Sequence, residues 1–118
     1  MSQPNEEVRL PMDVWSKVDG LPFDLTICPV YYKASRVRLY FRAKRGMTIV
    51  FSNGSQKNRL GDRDPGQESA INWLLRAGDF ATLQDGDSKV VITVVSFGYT
   101  VCRLQVQVVE SQQGTDVS

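Results

Sequence analysis

Apolar side chains recur at every second position over several stretches of this chain. A period of two fits a half-buried β-strand and does not fit a helix, whose faces repeat every 3.6 residues. Val37, Leu39 and Phe41 alternate with Arg36, Arg38, Tyr40 and Arg42; beyond Lys44-Arg45-Gly46, Met47, Ile49 and Phe51 alternate with Thr48 and Val50. Two such runs around a glycine-bearing turn predict a β-hairpin over Arg36–Ser52. Phe23, Leu25 and Ile27 repeat the pattern, as do Cys102, Leu104, Val106 and Val108 within Thr100–Glu110. Lys89–Phe97 differs, being almost continuously β-branched (Val90, Val91, Ile92, Thr93, Val94, Val95). Such a run predicts a strand covered on both faces.

Turn chemistry divides the remainder. Val8–Trp15, interrupted by Pro11, reads as an arm or an edge strand, and Asp19-Gly20 marks a turn. Pro29 is expected to break pairing, so that Val30–Lys33 continues only after a bend. Asn53–Gln67 carries Gly54, Gly61, Gly66 and Pro65 among many charges and reads as a long loop. Ser69–Arg76 is ambiguous, since Ile71, Trp73 and Leu75 fit a strand and Ile71, Leu74 and Leu75 fit a single helical turn; a strand is preferred because Gly78 and Asp79 end it after so few residues. Asp85-Gly86-Asp87 and Phe97-Gly98-Tyr99 are turns. These segments predict about seven or eight short strands and no long helix. The fold expected is all-β: a two-sheet antiparallel β-sandwich of jelly-roll or immunoglobulin-like type, with a small closed barrel as the alternative. Within it we expect an N-terminal arm or edge strand over 1–18, the sandwich over 19–110 and a polar tail over 111–118.

A chain of 118 residues, 42 % hydrophobic and 23 % charged, suits one domain with an ordinary core. Fourteen basic residues against thirteen acidic ones leave a net charge of +1. That balance argues against a dedicated DNA-binding domain, whose affinity comes from neutralising phosphates, and it does little to keep copies apart. The polar start, Met1 to Glu7, has no apolar signal region, and runs such as Val90–Val95 are too short to span a bilayer. A soluble cytoplasmic protein is expected, or a virion component if the source is viral, with no membrane insertion. Cys28 and Cys102 lie in apolar runs and are expected to be buried free thiols rather than a disulfide framework.

Histidine is absent. With it go the commonest general base near neutral pH, every Ser-His-Asp or Cys-His arrangement and the commonest transition-metal ligand. No phosphate-binding loop, dinucleotide fingerprint or nucleophile elbow is present either. A non-enzymatic protein without a cofactor is expected.

Four features remain that bear on binding. Asp62, Asp64 and Glu68 gather oxygen ligands of the kind Ca²⁺ takes, but Arg63 and Pro65 interrupt them, and a solvated loop is the preferred reading. Alternation places Arg36, Arg38, Tyr40, Arg42 and Lys44 on one face of a strand, a pattern that serves a protein interface, a phosphate backbone or a solvated face with cross-strand ion pairs. Asn53-Gly54-Ser55 has the form of a glycosylation acceptor but reads more simply as the start of the loop. Trp15 and Trp73 could stack on sugars, although tryptophans in a small domain are more often anchors.

The leading expectation is a structural or assembly protein that forms a homo-oligomer or joins a larger protein assembly. A capsid-decorating or head–tail component of a phage is the form expected. Val8, Leu10 and Trp15 on the arm, Arg59 and Arg63 in the loop, and Arg36, Arg38, Tyr40 and Arg42 on the basic face are the candidate contacts. The alternatives are a carbohydrate-binding, lectin-like module, with or without assistance from Ca²⁺, and, less favoured, a nucleic-acid-binding small barrel.

Overall fold

The computed structural model describes residues 5–43, 47–53, 57–59 and 69–109, and every regular element among them is a strand. In chain order these are β1 (Asn5–Pro11), β2 (Ser16–Lys17), β3 (Leu25–Lys33), β4 (Arg36–Ala43), β5 (Thr48–Phe51), β6 (Lys57–Arg59), β7 (Ser69–Leu75), β8 (Phe80–Asp85), β9 (Ser88–Phe97) and β10 (Val101–Val109). Six form one sheet in the order β1-β10-β9-β8-β5-β6, and four form the other in the order β2-β3-β4-β7. Every pairing is antiparallel. The molecule is thus an all-β, two-sheet antiparallel sandwich. The strands beyond the expected number are explained by β2 and β6, with two and three residues. Neither is long enough to show a period.

Alternation explains how the sheets meet. Along β4 the burial pattern strictly alternates, with Val37, Leu39 and Phe41 fully buried and the arginines between them half-buried. β9 does the same with Val90, Ile92 and Val94, and β10 with Cys102, Leu104 and Val106. One hydrophobic cluster collects these inward rows from both sheets, and no polar or charged residue among the described ones is buried. Phe41 of β4 and Phe51 of β5 meet across the core with ring centroids 5.9 Å apart.

The expected Arg36–Ser52 hairpin does not form. β4 pairs with β3 and β7, whereas β5 pairs with β6 and β8 in the opposite sheet. Alternation fixes which side chains turn inward but not which sheet carries them. A strand that leaves one sheet and enters the facing one keeps the same pattern. The chain changes sheet four times: between β1 and β2, β4 and β5, β6 and β7, and β7 and β8.

Two further expectations are revised. Pro29 sits inside β3 opposite Leu39 without breaking it. The Asp13 N–H donates to the Pro29 carbonyl at 2.7 Å, so the backbone polar groups of Pro29 face away from β4. The ring therefore removes no donor from the β3–β4 ladder, the position in which a sheet tolerates proline. The stretch expected to be one long loop contains β6, which pairs through its backbone with β5 at the edge of the larger sheet.

Candidate functional site

The outer face of the four-stranded sheet carries the basic row. Register sets Arg38 between Val30 and Leu74, Tyr40 between Cys28 and Asn72, and Arg42 between Thr26 and Ala70, with Arg36 opposite Lys33. None of these opposing positions is acidic. Aromatic rings pack against the row. The Arg42 guanidinium lies 4.0 Å from the centre of the Trp15 ring, and Trp15 meets Tyr40 edge to face at 6.3 Å. Arg38 sits 5.7 Å from the Tyr32 ring and Lys33 5.6 Å from it. Arg38 Nη1 also donates to Asn72 Oδ1 at 2.6 Å. Asp13 helps bring Trp15 over the sheet, since its φ of 65° is left-handed backbone that aspartate tolerates better than most residues.

A cleft of about 660 Å³ opens where this face meets the end of β7, lined by Arg36, Arg38, Asn53, Asn72, Trp73, Leu74, Arg76 and Asp79. One of its walls is a hydrogen-bonded tie between the sheets. Trp73 stacks on Phe51 with centroids 4.9 Å apart and 7° between planes, and its Nε1 donates to Asn53 Oδ1 at 2.6 Å. Asn53 Nδ2 donates to the Leu74 carbonyl at 3.0 Å and to Asp79 Oδ2 at 3.3 Å. Asp79 also accepts from the Arg76 backbone N–H at 3.0 Å and from Ser52 Oγ at 3.4 Å. The Asn53 amide is thus committed at both ends, and Trp73 is an inter-sheet anchor. The guanidinium groups of Arg36 and Arg76 have no hydrogen-bond or ion-pair partner among the described residues.

The outer face of the six-stranded sheet is different in kind. Register aligns Val50, Thr82, Val91 and Gln107 in one row and Phe80, Thr93, Gln105 and Glu7 in the next. Val50, Phe80 and Val95 are 38, 40 and 36 % exposed. β9 was expected to be covered on both faces. Its inner face is, by the other sheet, but no second layer of described residues covers its outer face. At the margin, Arg103 grips Glu7 through Nε–Oε2 and Nη2–Oε1 bonds of 2.7 and 3.0 Å. That guanidinium holds the Glu7 carboxyl below its ordinary range.

The sequence-derived candidates fall in different places. Trp15, Arg36, Arg38, Tyr40 and Arg42 come together on one face. Val8 and Leu10 do not join them: Leu10 is 6 % exposed and Val8 packs against the core, because an edge strand still turns every second residue inward. The Leu10 side chain is buried in the sandwich and that of Val8 partly so. Arg59 lies on β6, its backbone opposite Thr48. Arg63 and the Ca²⁺ candidates Asp62, Asp64 and Glu68 lie outside the described residues, as does Lys44. Among the described residues no group of three His, Cys, Asp or Glu side chains could hold a metal ion. Tyr32 and Lys33 join the basic face without having been expected there: Tyr32 continues the row of Thr26, Cys28 and Val30 beyond the break expected at Pro29, and the register shift between Tyr31 and Lys33 brings Lys33 opposite Arg36.

Both cysteines are free and buried. Burial pushes the Cys102 thiol up to about 12. Cys28 is raised as well, chiefly by burial and further by the Asp13 carboxylate. Neither environment activates a nucleophile. No described helix is long and apolar enough to cross a membrane. Comparison with protein-family models, curated proteins and solved structures finds no significant match to the chain.

Proposed function

We propose that the protein is a non-enzymatic assembly subunit that self-associates through the outer face of its six-stranded sheet. One observation carries the reading. β9 presents Val91, Thr93 and Val95 outward from the middle of a sheet, in a sequence suited to cover on both sides, and the described chain covers only one. A second copy packed sheet against sheet supplies the missing layer in the way sandwiches form their own cores. Exposed Val50 and Phe80 extend the apolar area, and Gln105, Gln107 and the Glu7–Arg103 pair form a polar margin.

The basic face suits a different role. Contact with a second copy suits it less, because arginine would meet arginine across the seam. It is therefore left for an unlike, acidic surface in a larger assembly, with Trp15, Tyr40 and the arginines as anchors of the type that dominate interfaces. A virion component of the capsid-decorating or head–tail kind fits this division of labour; that step rests on analogy at the level of the fold.

The test is the mass of the protein in solution over a concentration series, by light scattering coupled to size exclusion. A discrete oligomer is expected. Val91→Glu, which places a charge in the middle of the outer face, should give a monomer with unchanged β-sheet circular dichroism. A wild-type monomer at every concentration, or an oligomer indifferent to Val91→Glu, would refute the reading.

A further inference from the structure

We propose that the cleft at the end of β7 is a binding site for a small phosphate monoester. Its volume of about 660 Å³ falls within the ordinary range of small-ligand pockets, roughly 300–1,000 Å³. Arg36, Arg38 and Arg76 supply three positive charges and Asp79 one negative charge, so the described lining residues carry a net charge of +2. Like charges gathered on one cleft repel, and nothing among the described residues neutralises Arg36 or Arg76. An anion held between them offsets that repulsion.

The lining is also pre-set. Asn72 and the Tyr32 ring position Arg38, leaving further guanidinium N–H groups to donate. Asp79 does not compete for the arginine side chains in the described contacts, because its oxygens take the Arg76 backbone N–H, Asn53 and Ser52. Asn53 in turn fixes Trp73. Leu74 adds an apolar surface for the organic part of a ligand.

Charge selects the ligand class. A phosphate monoester carries about −1.5 to −2 at neutral pH and offers three strong acceptor oxygens. That matches the cleft better than a single carboxylate or one phosphodiester linkage, each with one charge. Guanidinium forks recognise such oxygens in pairs. The site does not depend on the proposed self-association, which uses the other sheet, so either can fail alone; it shares Arg36 and Arg38 with the basic face, so an acidic partner there and the phosphate compete.

Isothermal titration with adenosine 5′-monophosphate and with inorganic phosphate tests the assignment. Succinate and a short single-stranded oligonucleotide serve as comparisons. Saturable one-to-one binding of the nucleotide is expected, with inorganic phosphate competing. Affinity should fall as the pH drops through the second phosphate ionisation near about 6. Arg36→Gln and Arg76→Gln should each weaken binding by about tenfold or more, the loss expected for a hydrogen bond to a charged group. Arg9→Gln, on exposed β1, should leave it unchanged. Melting curves matching wild type, with movement of the Trp73 indole N–H resonance on titration, would tie the effect to the cleft. The proposal is overturned by absence of saturable binding, by equal binding of succinate, by affinity retained in both arginine variants, or by binding of the oligonucleotide alone.

Discussion

Glu7 and Arg103 stand 96 residues apart in the chain and meet as a two-bond fork on neighbouring strands. No local pattern announces such a pair, because partners across a sheet are chosen by register and not by spacing. Its pH signature has a definite sign. Arg103 lowers the folded-state pKa of Glu7 from its ordinary 4.5. The stabilisation is therefore fully present above that value and is lost as the pH falls through the lower folded value. Glu7→Gln should lower the melting temperature slightly at neutral pH, and the gap from wild type should close in acid. The gap should also narrow in high salt, since the pair is exposed. Melting curves from pH 7 down to about 2 check this; a gap that persists in acid would mean that the ion pair contributes nothing. Other residues were legible from the start. Cys28, Cys102, Leu39 and Ile92 occupy apolar positions of strand-like runs, and all are buried.

At the scale of elements, strands were easier to read than their connections. Alternation marks β4, β5 and β10 directly, but it pairs β4 with the wrong neighbour, since both sheets turn their apolar side chains into one core. The β8–β9 hairpin is the opposite case, with Gly86 and Asp87 alone between the strands. Gly86 has φ 63° and Asp87 is not in the positive region, the sign pattern of a type II′ turn that suits strand twist. Gly86→Ala should therefore cost about 1 kcal/mol. Gly98, in the β9–β10 connection, has no positive φ, and a Cβ there meets nothing within 4 Å. Gly98→Ala should be neutral or slightly stabilising, because alanine restricts the unfolded chain. Urea denaturation of the two variants decides: equal effects would contradict the turn assignment. The Trp15 cluster on the basic face was only half legible. The arginine row follows from β4 alone, whereas its aromatic partners arrive from the turn after β1 and from the end of β3.

For the molecule as a whole, the pairing of β1 with β10 joins the first and last described strands and places β1 at an edge of the larger sheet. Leu10 goes into the core with it, opposite Cys102. Removing residues 1–11 should therefore expose the edge of β10, a row of unpaired backbone groups beside Val106 and Leu104, and lead to aggregation. Light scattering of the truncated protein, set against the full chain, gives the answer; a soluble, fully folded truncation would show that β1 is dispensable. The sequence by itself determined that the chain would be all-β and which rows of side chains would be buried, because side-chain periodicity is a local property of an extended backbone. It also marked the basic row on β4 and the absence of histidine chemistry. Only the tertiary structure decided the strand order, the four changes of sheet, the cleft beside β7 and an outer face of β9 over which the described residues lay no second layer. Each of those depends on which distant segments share hydrogen bonds, and a pattern repeating every two residues carries no record of its partner.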